Sequence, residues 1–334
     1  MTTYLVAVVT EGAIFGIMAL GLNVIWGWSG DFDLAYYGYV AVGAYMTLVL
    51  TIGPATAPAQ YILGLTLPFP VAVVVAVLTT MAVAFVVGLI ALRHLRGIYF
   101  SIVTLGAVYV VYIIAGQYTP LFDGFNGLSG LFDPMGDWLG LDYKAYQYFF
   151  LILSVVVFVL VYVFMARVSV SRFGMALRTL REDERAAAAF GRDIYRLKLK
   201  GYVLGAALGG LAGSLFAAYL SAFNPSAWSP VGEVIALYAA VLVGGRGNIR
   251  GVVLGVLVMG VLVQESTRFL PQVPLLGELN TLHPQVLLAM RGVLIGLVLV
   301  LFLRFRPNGL LPERRFVDRE PPAAPAPAPA PQSA

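Results

Sequence analysis

Nine apolar stretches, at about 4–28, 33–52, 68–92, 97–116, 146–166, 199–220, 230–244, 251–270 and 285–304, occupy most of the 334-residue chain. A helix of roughly 20 mostly apolar residues crosses a ~30 Å hydrocarbon core, and most of these runs have that length. Only 11% of the residues are charged and 60% are hydrophobic. A soluble domain carries about 25% charged residues to hydrate its surface. The outside of this molecule therefore has to meet lipid, where the backbone must satisfy its own hydrogen bonds. The expectation is an all-α, polytopic transmembrane helix bundle of about eight to ten spans. Residues 1–310 form that domain and 311–334 a disordered Pro/Ala-rich tail. No Lys or Arg precedes the first run, so it reads as a permanent span and not as a cleaved signal.

Of the 21 Lys and Arg residues, all but Lys144, Arg268 and Arg291 fall on one side of the alternating model. The opposite loops hold Asp123, Asp133, Asp137, Asp142 and Glu278. The positive-inside bias places 167–198 and the C-terminus in the cytoplasm. Nine spans then put the N-terminus outside; a re-entrant 230–244 would break the alternation. Gly16, Gly21, Gly205, Gly209, Gly210, Gly213, Gly251 and Gly255 have the small-residue spacing that lets helix backbones approach closely.

Several chemistries are excluded. With no cysteine there is no disulfide, thiolate nucleophile or Cys-based metal site. His94 and His283 lie in loops on opposite sides and make no metal site or catalytic triad. A P-loop needs Gly-Lys-Ser/Thr, and none of Lys144, Lys198 or Lys200 follows a glycine. A net charge of +4 gives no reason to invoke nucleic acid.

The most informative segment is the basic loop at 167–198. Within it Glu184, Ala186, Ala187 and Gly191 form E-x-A-A-x-x-x-G. Asp183 and Glu184 suit the positive end of a helix dipole, the Ala186–Ala189 run favours helix, and Gly191 can close it with a left-handed cap. Local physics by itself is satisfied by a solvated inter-helix loop. The other reading is a short, smooth helix that plugs a groove on a partner protein.

Further motifs bear on that choice: Gly21-Leu-Asn-Val-Ile-Trp-Gly-Trp-Ser-Gly30, Val42-Gly-Ala-Tyr45, and Leu95-Arg-Gly-Ile-Tyr-Phe-Ser-Ile-Val-Thr-Leu105. They continue through Asn126-Gly-Leu128, Val243-Gly-Gly-Arg-Gly-Asn248 and Phe305-Arg-Pro-Asn-Gly-Leu310. This ordered set resembles the LivM-type permeases of branched-chain amino acid ABC importers, and the basic loop is similar to their EAA coupling loop. Two segments depart from the family's pattern: Asp31-Phe-Asp-Leu-Ala-Tyr-Tyr-Gly38, and Phe122-Asp-Gly-Phe ahead of Asn126. Both leave cargo, more than class, open.

The resemblance implies a transporter subunit and not an enzyme. It assigns ATPase coupling to Glu184, Ala186, Ala187 and Gly191. ATP and Mg²⁺ would be bound by separate ABC subunits, with no cofactor on this chain. It further implies a second, related permease forming a heterodimer, an extracytoplasmic substrate-binding protein, and a multi-pass place in the cell (inner) membrane. A permease of the same superfamily for urea, amides or sugars is the alternative.

Charges inside spans cost ~2.5–3.5 kcal/mol at a helix centre, which marks Glu11, Glu233, Glu265 and Arg291. Glu265 and Arg268, three apart, read as a helix-face pair. Asn23, Trp26, Trp28, Tyr36 and Tyr37 cluster where the first two spans meet. Belt residues at the membrane interface are the ordinary reading; a translocation route through Asn23, Tyr36, Tyr37 and Glu11 is the functional one. An integral-membrane enzyme would need paired carboxylates or a His cluster at depth, and an ion-driven carrier could carry inverted repeats; neither is evident.

Overall fold

Each apolar stretch carries a helix in the computed structural model, which describes residues 2–313 apart from 56, 58, 96, 132–133, 190, 192, 226–227, 229–231 and 270–284. In chain order these are α1 (Thr2–Leu22), α2 (Tyr36–Thr51), α3 (Phe69–His94), α4 (Ile98–Gln117), the short α5 (Thr119–Phe122) and α6 (Gly136–Leu139), and α7 (Tyr143–Val170). There follow α8 (Arg172–Glu182), α9 (Glu184–Ala189), α10 (Ile194–Leu220), α11 (Gly232–Gly244), α12 (Ile249–Phe269) and α13 (Gln285–Phe305). The described sheet is a pair of two-residue strands, β1 (Leu128–Ser129) antiparallel to β2 (Ala222–Phe223).

Burial sorts the helices into layers. The apolar windows of α1 and α10 are 56% and 61% buried, whereas those of α3, α4 and α7 are each 22% buried. Leu78, Ile90, Ile102, Val110, Ile152 and Leu160 stand on the outer faces of those three helices, exposed. Such faces are stable only against lipid or another apolar chain.

Small residues hold the inner layer together. A methyl group on Gly43 would strike the Gly210 backbone, and one on Gly213 would strike the carbonyl of Val40, so α2 and α10 touch main chain to main chain. Gly21 and Gly205 bring α1 onto α10 in the same way, and Gly244, Gly251 and Gly255 bring α11 onto α12. The Thr47 and Ser214 hydroxyls, 2.8 Å apart, close the α2–α10 seam with a buried hydrogen bond.

Helix α11 is short. Its 13 residues reach about 20 Å at 1.5 Å per residue, less than a hydrocarbon core. Among the described residues of the connection from α10, Phe223 and Trp228 are fully buried. Phe223 meets Tyr45 edge-on at 5.0 Å, and Trp228 lies between Tyr37 and Tyr112. Irregular backbone is tolerated at such depth when protein surrounds it.

The belt reading of the first-span cluster is corrected here. Asn23, Trp28, Tyr36 and Tyr37 are 0–4% exposed and form protein core. The Tyr36 hydroxyl donates to the Met18 carbonyl at 2.8 Å, and Tyr37 stacks on Trp228. An amphipathic ring satisfies its polar tip as well on a buried carbonyl as on a headgroup, and spacing along the chain does not distinguish the two.

Candidate functional site: a charged junction at the basic end

The first span does not end as a regular helix. Its last turn, Asn23–Trp28, is π-helical; Ser29 N–H donates to Val24 O and Asp31 N–H to Ile25 O. Such turns are rare and are frequent at functional sites. Gly30, at φ +85°, then turns the chain out. The following residues to Ala35 are irregular, and neighbouring helices satisfy their backbone. Ser101 donates to Phe32 O at 2.7 Å, Tyr238 donates to Asp33 O at 2.9 Å, and Leu34 N–H donates to Thr104 Oγ1. Asp33, fully buried, accepts from Ala35 N–H on one carboxylate oxygen just ahead of α2.

The turn between α11 and α12 is latched to this π-turn. Gly247 N–H donates to Asn23 Oδ1 at 2.8 Å, and Trp28 Nε1–H donates to Gly247 O at 3.1 Å. The Arg178 guanidinium lies over the Trp28 ring, 5.3 Å from its centroid. Arg181 donates to the Gly27 carbonyl. Both arginines then converge on Glu313, at 2.9 and 2.6 Å. The segment carrying Glu313 runs along the same turn, with Leu310 N–H donating to Val243 O and Leu311 N–H to Gly244 O.

The basic loop folds as two helices. Ser171 caps α8 by accepting from Gly174 N–H. Ala176, Leu177 and Leu180 form its buried face. In α9, Glu184 occupies the first turn and Ala187 is buried, while Arg185 and Ala188 are exposed. Gly191 stands at φ +73°, the left-handed conformation anticipated for a cap. The side chain of Ala186 lies outside the described residues.

Lys198 joins the two halves of the junction. Because α10 starts at Ile194, ahead of its apolar run, Lys198 lies near its beginning. Its ammonium contacts Glu184 Oε1 at 2.6 Å and Asp31 Oδ1 at 2.7 Å, while Ser29 Oγ donates to Asp31 Oδ2 at 2.5 Å. Burial holds the Asp31 carboxyl above its ordinary value, with the Lys198 charge opposing and the Glu184 charge adding to the rise. A cleft of about 1310 Å³ opens between these groups, lined by Asp31, Arg181, Glu184, Lys198, Arg246 and Glu313 among others.

The sequence-derived candidates thus separate in space. Glu184, Ala187 and Gly191 sit on α9 and just beyond it at the junction. Asn23 belongs to the latch and Tyr36 and Tyr37 to the core. Glu11 lies in α1 beside the Tyr219 hydroxyl of α10. Glu233 is in the first turn of α11; the side chains of Glu265, Arg268 and Arg291 lie outside the described residues. Sequence reasoning did not single out Asp31, Lys198 or Glu313. Among the described residues no group of three His, Cys, Asp or Glu could hold a metal ion.

A bundle of apolar helices whose first span ends in a π-turn, with a charged junction at one end, is the build of a multi-pass membrane protein. A family model described as "Branched-chain amino acid transport system / permease component" matches residues 4–303. The chain is 31% identical to the high-affinity branched-chain amino acid transport system permease protein LivM of Escherichia coli K12, covering 93% of this chain and 70% of that one. It is 28% identical to the probable branched-chain amino acid transport permease protein LivM of Methanocaldococcus jannaschii, covering 91% and 92%. Against the LivH permease protein of Salmonella typhimurium the identity is 23%, covering 78% and 84%. No solved structure matches. The chain belongs to the branched-chain amino acid transport permease family and is a transporter subunit, not an enzyme.

Proposed function

We propose that this permease carries branched-chain amino acids inward, driven by ATP that a separate ABC subunit hydrolyses while gripping α9. The observation that supports this most is the placement of α9: Arg185 and Ala188 are exposed at the basic end, while its first residue is tied through Lys198 to Asp31, just past the end of the first span. A partner that moves α9 acts on the transmembrane bundle. ATP and Mg²⁺ belong to that partner. The basic end is the cytoplasmic one by the positive-inside bias, which puts the C-terminal segment there too. The opposite end, with β1, β2 and the aromatic contacts of Tyr45, receives the amino acid from an extracytoplasmic binding protein. A LivH-type permease forms the second half of the pore. The relatives reported above are named for branched-chain amino acids, which favours that cargo over urea, amides or sugars.

The test is uptake into proteoliposomes holding this chain, its partner permease, the ATPase subunits and a binding protein, with radiolabelled leucine, urea and ribose supplied in turn. Leucine is expected to accumulate only with ATP present, and urea and ribose not at all. Leucine uptake driven by a proton gradient without ATP would reject the reading.

A further inference from the structure

Helix α8 is fixed to its surroundings by two arginines, through Gly27, Gly247 and Glu313. The short α9 is held differently. Its described ion pair is Glu184 with Lys198, and the same ammonium holds Asp31. Lys198 and Asp31 are 12% and 14% exposed, Glu184 32%. Water therefore screens these contacts far less than it would a surface pair. Without the ammonium two carboxylates would face each other across the cleft, and Asp31 already feels the Glu184 charge.

Asp31 stands three residues after the π-turn and two before Asp33, which accepts from Ala35 N–H at the start of α2. Ser29 fixes the other oxygen of Asp31. A displacement of Glu184 thus has a short polar route to the irregular break between α1 and α2.

We propose that Lys198 is the positioning residue that transmits movement of α9 to this break, by holding Asp31 and Glu184 on one ammonium. The proposal rests on the coupling reading above and adds the link through which the work enters the membrane. Packing α9 against the bundle would need only an apolar side chain. A charge shared between two acids on separate segments moves them together and lets them slide without losing contact.

The test uses the complete reconstituted importer and reads leucine accumulated per ATP hydrolysed. Lys198→Met is expected to lower that ratio about tenfold, the size of an ordinary coupling free energy, while ATP hydrolysis continues. Lys198→Arg is expected to restore most of it. Asp31→Asn, which leaves Lys198 paired with Glu184, covers the case in which Lys198→Met fails to insert, and is also expected to lower the ratio. An unchanged ratio in Asp31→Asn, or a loss in Lys198→Met that Lys198→Arg does not recover, overturns the proposal. Ala188→Trp, at an exposed position of α9 outside the Lys198 ion pairs, separates the two claims. If it uncouples uptake from hydrolysis and the Asp31 and Lys198 variants do not, only this link is wrong. If none of the variants does, the coupling reading itself fails.

Discussion

Gly213→Val is expected to remove the protein from the membrane fraction almost completely. The first carbon of any side chain at 213 lands on the Val40 carbonyl and reaches the Ala44 amide. The obstacle is main chain on both sides, so no rotamer change relieves it. Separating α2 from α10 would also pull apart Gly43 and Gly210 and break the Thr47–Ser214 contact. Overpacking a core costs about 1–3 kcal/mol and more where nothing can yield, against a total stability of only about 5–15 kcal/mol. Membrane-fraction yield and thermal melting in detergent measure this. Gly106→Val in α4 is the control, because nothing lies within 4 Å of a methyl group there. Its yield is expected to match that of the parent.

Gly191→Val is expected to abolish ATP-driven uptake while leaving the amount of protein in the membrane unchanged. The residue stands at φ +73° with open space around it, so sterics with neighbours are not the issue. The cost is conformational: a residue with a Cβ pays about 1–2 kcal/mol in the left-handed region, and a β-branched one more. Gly191 N–H donates to Ala188 O, closing α9. Relieving the strain unwinds a six-residue helix, one too short to persist without its closing turn. On the coupling proposed above, transport is then lost because a partner ATPase would have no formed helix to grip. Uptake falling together with protein level would instead assign Gly191 to folding. The two substitutions contrast usefully, since one glycine is required for space and the other for backbone conformation.

Much of this was legible in the sequence, for physical reasons that also set its limits. The nine apolar runs each became a helix because lipid leaves the backbone no alternative. The glycines at 205, 210 and 213 mark close approach because small residues are what membrane helices pack on. Helix α8 was not anticipated, because the density of charge across 172–185 reads as a loop although Ala176, Leu177 and Leu180 share a helical face. Trp28 and Tyr36 were not readable, because an amphipathic ring serves equally in a belt or beside a buried carbonyl. Asp31, Lys198 and Glu313 were invisible for a different reason. Asp31 and Lys198 lie 167 positions apart, and only the three-dimensional fold brings them to one ammonium. The same fold explains the scattered motifs. Gly27, Gly247 and Gly309, far apart in the chain, all stand at the junction where main chain meets main chain or an arginine reaches a carbonyl.

Which end of the bundle faces the cytoplasm decides the whole account, and the absence of native cysteine makes it directly measurable. A single cysteine at Ala188 is exposed on α9, and one at Phe125 is exposed at the other end. A membrane-impermeant maleimide should label Phe125→Cys on intact cells and Ala188→Cys only in inside-out vesicles. Labelling of Ala188→Cys on intact cells would contradict it, since no ATP-hydrolysing subunit could then reach the helix.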